Sequence, residues 1–128
     1  MQLKQIVTDP DPYAPYLLSQ GIQTGNLVFV SGQAGYGDDG KIVEGDFLTQ
    51  GRRAFKNLER ALKSGGLRLS DIAKVTIFVT DMQKFDDVVT LRREFFSAPY
   101  PADSIVEVKA LYTPQAMIEI EAIAVVNA

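Results

Sequence analysis

Histidine and cysteine are both missing from these 128 residues. Without cysteine there is no disulfide framework, no thiolate nucleophile and no cysteine-ligated metal site. Without histidine the chain lacks the commonest general base near neutral pH and the commonest zinc ligand. Ser-His and Cys-His catalysis are excluded, as are ordinary zinc sites. Any chemistry must run on carboxylates, hydroxyls, backbone amides or bound water. Long apolar runs are missing too, and "MQLKQIVTDPDPY" at the start lacks the apolar centre of a signal peptide. The expectation is a cytoplasmic protein with no membrane partner. Positive charge is scarce: 13 Lys and Arg stand against 16 Asp and Glu, for a net charge of −3. That balance disfavours nucleic acid as a partner. The basic pairs Arg52-Arg53 and Arg92-Arg93 fall on predicted helices and read as solvated faces.

What remains is ordinary globular material, 46% hydrophobic and 23% charged, with no shift that marks a second domain. Residues 1–128 read as one domain. A domain this small buries only about two-thirds of its unfolded surface, so an oligomer interface would help it. "MQLKQIV" (1–7) predicts a short edge strand, and "NLVFVSG" (26–32) a second strand entered through a Gly25-Asn26 turn. "QAGYGDDGKIVEG" reads as a loop, since it lacks both the GKS/T ending and the GxGxxG spacing of phosphate cradles. Phe47, Gly51, Ala54, Phe55, Leu58 and Leu62 recur at helical spacing and predict a helix over about 46–63, ended by Ser64-Gly65-Gly66. "SDIAKVTIFVTD" supplies a strand with Val75, Ile77 and Val79 on one face. Asp81 caps a second helix over about 82–97, with an inner stripe of Met82, Phe85, Val88, Val89, Phe95 and Phe96. Strands over 104–111 and 117–126 complete the order.

Two right-handed β-α-β crossovers fit that order, giving a mixed sheet with both helices on one face. On the last strand Ile118, Ile120, Ala122, Ala124 and Val126 face one way. Met117, Glu119, Glu121, Ile123 and Val125 face the other, part apolar and part charged. A neighbouring subunit is the simplest cover for that second face.

"APYLLSQGIQTGNLVFVSGQ", "TQGRRAFKNLERALKSGGLRLSDIAKVTIFVTD" and "FFSAPYPADSIVEVKAL…IEIEAIAV" together resemble the Rid family (YjgF-like proteins, also called L-PSP endoribonucleases) over nearly the whole chain. The resemblance implies a chorismate-mutase-like α+β fold and a homotrimer whose sheets line a central barrel. Small-molecule ligands would occupy clefts between the subunits. It also implies hydrolysis of reactive enamines and imines to keto acids and ammonia, with no metal or organic cofactor. Carried over position by position, the site falls on Tyr16, Ser31, Gly32, Ser104, Ile105 and the catalytic Glu119.

The family's key arginine falls on Asp103. In active members that arginine grips the substrate carboxylate through a two-pronged charge-assisted bond. Reversing the charge removes a bond worth about 1.5–3 kcal/mol. It also adds a like-charge contact of about 1–4 kcal/mol at 4 Å. A carboxylate ligand is then expected to bind at least about a hundredfold more weakly. An asparagine frequent on the second helix is here Val89. Asp103 has two structural readings, a cap on backbone amides after Pro101 or an ion pair with Lys109 or a neighbouring subunit's arginine. It also has a functional one, in which Asp103 and Glu119 form an anionic cleft for an amine, iminium or neutral polar ligand.

Glu119 has support of its own, because Glu121 lies two residues on, roughly 7 Å away on the same strand face. Such neighbours in a partly closed cleft push one pKa upward, which suits proton transfer. Tyr16 on its proline-bounded segment could close a cleft. Ser31-Gly32 at a strand end could offer a hydroxyl and an open amide, and Tyr112 could border the same place. Three functions follow: an imine or enamine hydrolase with a non-standard ligand, a metabolite-binding trimer without turnover, and, least favoured, an endoribonuclease.

Overall fold

Alternating and helical apolar spacings sort the chain into a six-stranded mixed sheet with two α-helices, an α+β fold;. The structure is a computed structural model that describes residues 2–127. In chain order the elements are β1 (Leu3–Ile6), β2 (Gly21–Thr24), β3 (Leu27–Ala34), α1 (Phe47–Ser64), β4 (Ile72–Val79), α2 (Phe85–Phe95), β5 (Ala102–Glu107) and β6 (Ile118–Val125). The sheet order is β1-β2-β3-β6-β4-β5. β4 and β5 are parallel and joined through α2, whereas β6 runs antiparallel to both β3 and β4. The last strand is thus slotted between β3 and β4, and α1 spans the gap it fills.

Asp46 begins α1 by accepting the Thr49 amide at 2.9 Å;. At the other end Gly66 adopts φ +78° and the Leu67 amide closes on the Leu62 carbonyl at 2.9 Å. A side chain would resist that left-handed turn. Phe55 and Leu58 on α1 are fully buried against Val75, Ile77 and Val79 of β4 and Ile118 and Ile120 of β6. Here lies the core, between the helices and one sheet face. Gly51 lets the helices touch, since a Cβ there would strike Leu91 of α2. Arg52 ties them at the surface with a fork onto Glu94, Nε and Nη2 donating at 2.9 and 2.8 Å.

Several sequence expectations shift. β2 is not among the predicted strands: "GIQT" is short and half polar, and only its pairing with both β1 and β3 makes it a strand. β3 continues through Ala34, where the reading placed a loop from Gln33. α2 ends at Phe95 and follows a 3₁₀ turn over Met82–Lys84. Its buried face uses Leu91, while Phe85 remains 41% exposed. β5 begins two residues early and stops at Glu107. The expected strand over 1–7 is described from residue 2 onward, Met1 lying outside the described residues. Three of the four paired arginines are not simply solvated: Arg52 bonds Glu94, Arg53 bonds the Tyr36 carbonyl and Asp38, and Arg92 bonds Asp103.

The sheet face away from the helices stays open. Leu27, Phe29 and Val106 are about two-fifths exposed there. Among the described residues no helix is long and apolar enough to cross a membrane.

Candidate active site

A bulge builds the centre of the site. β3 and β6 pair at Val30–Ala122 and next at Gln33–Ile120, so Ser31 and Gly32 together oppose Glu121. Two residues facing one re-aims the bulged strand. The Ser31 amide donates to the Gln20 carbonyl at 2.9 Å and its hydroxyl to the Ser19 carbonyl at 2.6 Å, pinning the bulge to the segment before β2. Gly32 is thereby pressed against Glu119, which β6 delivers from the next position of the ladder, opposite Ala34. A Cβ at residue 32 would overlap the Glu119 carboxylate.

Tyrosines surround this pair. The Tyr13 hydroxyl donates to the Gly32 carbonyl, and its ring meets that of Tyr36 edge-on, centroids 5.9 Å apart. The Tyr36 hydroxyl donates to Gln33 Oε1 at 2.6 Å. Tyr13, Tyr16, Gly32, Tyr36, Tyr112 and Glu119 line one cavity of about 660 Å³. Asp38, Asp39 and Lys41 line it as well. From below, Gln50 of α1 fixes the approach to β6. It donates to the Gln115 carbonyl at 2.8 Å and accepts from the Met117 amide at 2.9 Å.

Burial, and then the nearby Glu121, raises the Glu119 carboxyl above the usual carboxylate range;. Burial likewise raises the phenols of Tyr13, Tyr36 and Tyr112, which stay protonated at neutral pH and present donors, not charges. The cavity therefore sets one carboxyl of raised pKa, Glu119, among tyrosine hydroxyls.

Of the residues singled out from sequence, Tyr16, Gly32 and Glu119 meet on this cavity, and Tyr112 joins them. Ser31 adjoins it with its proton spent on Ser19. Asp103, Ser104 and Ile105 do not line it. They lie on β5, the edge strand, where Asp103 pairs with Arg92, Ser104 accepts from Lys74 Nζ at 3.0 Å, and Ile105 packs on the core. Tyr13 and Tyr36 were missed. Their signal was present, a tyrosine among prolines in "PDPYAPY" and another in the glycine-rich loop, but nothing local says that either folds onto Gly32. Among the described residues no three Asp or Glu stand together as a metal site.

The profile of the family described as Endoribonuclease L-PSP matches residues 7–126, and the chain belongs to this Rid/YjgF/L-PSP family. It is 35% identical to a 2-iminobutanoate/2-iminopropanoate deaminase of Dermatophagoides farinae, over 99% of this chain and all of that one. It is 46% identical to the RutC family protein YjgH of Escherichia coli, over 70% of this chain and 69% of the relative. Among solved structures, RidA from an Antarctic Psychrobacter superposes with a TM-score of 0.89 at 32% identity, covering 96% of this chain and 99% of that one.

Proposed function

We propose that this protein hydrolyses an imine or enamine in clefts completed by neighbouring copies in a homotrimer. The observation that carries this reading is the meeting of Tyr16, Gly32 and Glu119 on one cavity, with the Glu119 carboxyl raised where a proton must move. Water adds to the C=N carbon while Glu119 takes one of its protons and passes it to nitrogen; Glu119 then carries the hydroxyl proton of the resulting carbinolamine to the same nitrogen, and the C–N bond breaks to give a carbonyl compound and ammonia. An enamine first takes a proton on carbon from the same carboxyl. A group with a pKa lifted toward the working pH does both well. The deaminase name of the Dermatophagoides relative supports the reaction type.

The trimer is supported by the open apolar sheet face. Phe29→Asp is expected to dissociate it to species of about 14.1 kDa, read by analytical ultracentrifugation. An unchanged mass would count against use of that face. In such a trimer the β5 edge of one copy, with Asp103, Ser104 and Ile105, would complete a neighbour's cleft.

Arg92 answers the charge of Asp103 at 2.9 Å, which removes the repulsive part of the penalty expected from sequence. What persists is the lack of a cation at residue 103, so the ligand is held in a non-standard way. That lack also favours a second reading, a metabolite-binding trimer without turnover. The endoribonuclease reading is disfavoured by the acidic balance and the missing histidine;.

The test is 2-iminobutanoate, generated in situ by an amino-acid oxidase. Faster keto-acid release with wild type than in buffer supports the enzyme, and a rate equal to buffer overturns it. Gly32→Ala is expected to fold normally, because the displaced group is the free end of Glu119, and to lose roughly tenfold in turnover as that carboxyl moves;. Full activity in Gly32→Ala would show that the position of Glu119 is not critical.

A further inference from the structure

We infer that this cavity takes an imine or enamine bearing an aromatic ring, and that the ring lodges between residues 10–13 and the loop 36–41, in a part of the site built by one chain alone. The inference rests on the hydrolase reading above for the fate of the C=N group and adds the substituent that group carries.

Size is the first ground. The cavity holds about 660 Å³, within the range of about 300–1,000 Å³ that suits much larger ligands than a four-carbon acid. Such an acid, even allowed the about 30 Å³ of a liquid water for each non-hydrogen atom, fills roughly a third of it. The remainder has a direction. Gly32 and Glu119 touch at one end, the Tyr13 hydroxyl bonds the Gly32 carbonyl, and the Tyr13 ring leads on to Tyr36. Arg60 of α1 closes the far end, its Nη2 donating to the Pro10 carbonyl at 3.3 Å and its Nη1 standing 3.7 Å from Asp38 Oδ1. Because α1 packs on the covered face of the sheet, this end runs away from the open face where a neighbouring copy would sit. A second subunit does not fill it.

The walls are fixed and apolar. Asn57 donates to the Ala34 and Tyr36 carbonyls at 2.9 and 3.0 Å, and Arg53 to the Tyr36 carbonyl and Asp38, each at 3.0 Å. A ligand entering here has little left to order. Tyr13 and Tyr36 have turned their hydroxyls inward, onto Gly32 and Gln33, so the surface they show the cavity is ring carbon. Pro10 and Pro12 add flat apolar rings with no side-chain donor. The carboxylates at the far mouth are engaged, Asp38 by the two arginines and Asp39 Oδ1 by the Lys41 amide at 3.0 Å, and Lys41 is exposed to water. The Tyr13 and Tyr36 rings stand 71° apart, an edge-to-face corner that a third aromatic ring extends;.

The experiment is calorimetric titration of the intact protein with phenylpyruvate and with 2-oxobutanoate. The two share the keto acid and differ in the substituent, so the ratio of their affinities reads the far end of the cavity. Phenylpyruvate should bind about tenfold to a hundredfold more tightly, the worth of taking one phenyl ring out of water. Pro12→Trp, which fills the far end from a half-buried turn, should erase most of that preference. Arg60→Met, which releases Pro10 and Asp38 without adding bulk, should lower it about fivefold, with the fold checked by circular dichroism. Equal affinity for the two acids, or no phenylpyruvate binding at millimolar concentration, overturns the inference, as does a preference that both variants keep. With imines generated from phenylalanine and from 2-aminobutanoate by an amino-acid oxidase, kcat/KM should favour the aromatic one by a similar factor. An aromatic preference in binding without turnover of either imine would sink the hydrolase reading and leave this one standing. Turnover of both imines at equal kcat/KM would do the reverse.

Discussion

Glu119→Gln is expected to lower kcat for imine hydrolysis about 10²–10⁴-fold, the usual worth of a positioned acid-base group. The amide keeps the shape of the carboxyl, so the cavity and the packing against Gly32 should survive, and KM should change little. The pH profile gives a sharper signature. Burial and Glu121 raise the Glu119 pKa, so as a base it is lost when pH falls through that raised value, above the ordinary carboxylate range. The acid limb of kcat/KM should therefore lie above 4.5, and it should vanish in the variant. Stability should move the opposite way. A carboxyl whose folded pKa exceeds its unfolded value contributes stability that is full below the unfolded pKa and lost as pH rises through the folded one. Near neutral pH Glu119→Gln should thus unfold at a slightly higher temperature than wild type, and that advantage should shrink on acidification. A variant retaining more than a tenth of wild-type kcat would remove Glu119 from the chemistry.

Where the sequence was legible, one periodicity decided the outcome. Val75, Ile77 and Val79 alternate cleanly and are buried, and the α1 stripe from Phe47 to Leu62 forms the core it predicts. β2 was illegible because its four residues have no period of their own and become a strand only by pairing on both sides. The α2 stripe differs because the helix buries Val88 and Leu91, three residues apart, whereas Phe85 at its first position stays 41% exposed after the 3₁₀ turn. At the site, Glu119 follows from the family resemblance, with strand parity and its neighbour Glu121 as support. The bulge that brings Gly32 to it could not be foreseen, since a bulge is a property of the pairing between β3 and β6. Asp103 shows the same limit. An ion pair was foreseen, but with Lys109 or another subunit, because strand β5 and helix α2 meet only in the folded chain.

Gln50→Leu should cost about 2–4 kcal/mol of stability, seen as a fall in Tm of roughly 10 °C. Gln50 is 3% exposed on α1, and its amide is the only group that meets both the Gln115 carbonyl and the Met117 amide among the described hydrogen bonds. Leucine fills the same space, so the change isolates the two hydrogen bonds from the packing. Each stranded backbone group costs about 1–3 kcal/mol, and water can reach Gln115, which holds the sum toward its lower half. The consequence reaches the cavity. Tyr112 precedes this tie by a few residues and Glu119 follows it by two, so freeing the 111–117 turn loosens both at once. Activity should therefore fall in samples held well below the new Tm, where the fold is intact. A loss under about 1 kcal/mol with unchanged turnover would mean that the packing of Ala116 and Met117, not the Gln50 amide, positions the strand that carries the catalytic carboxyl;.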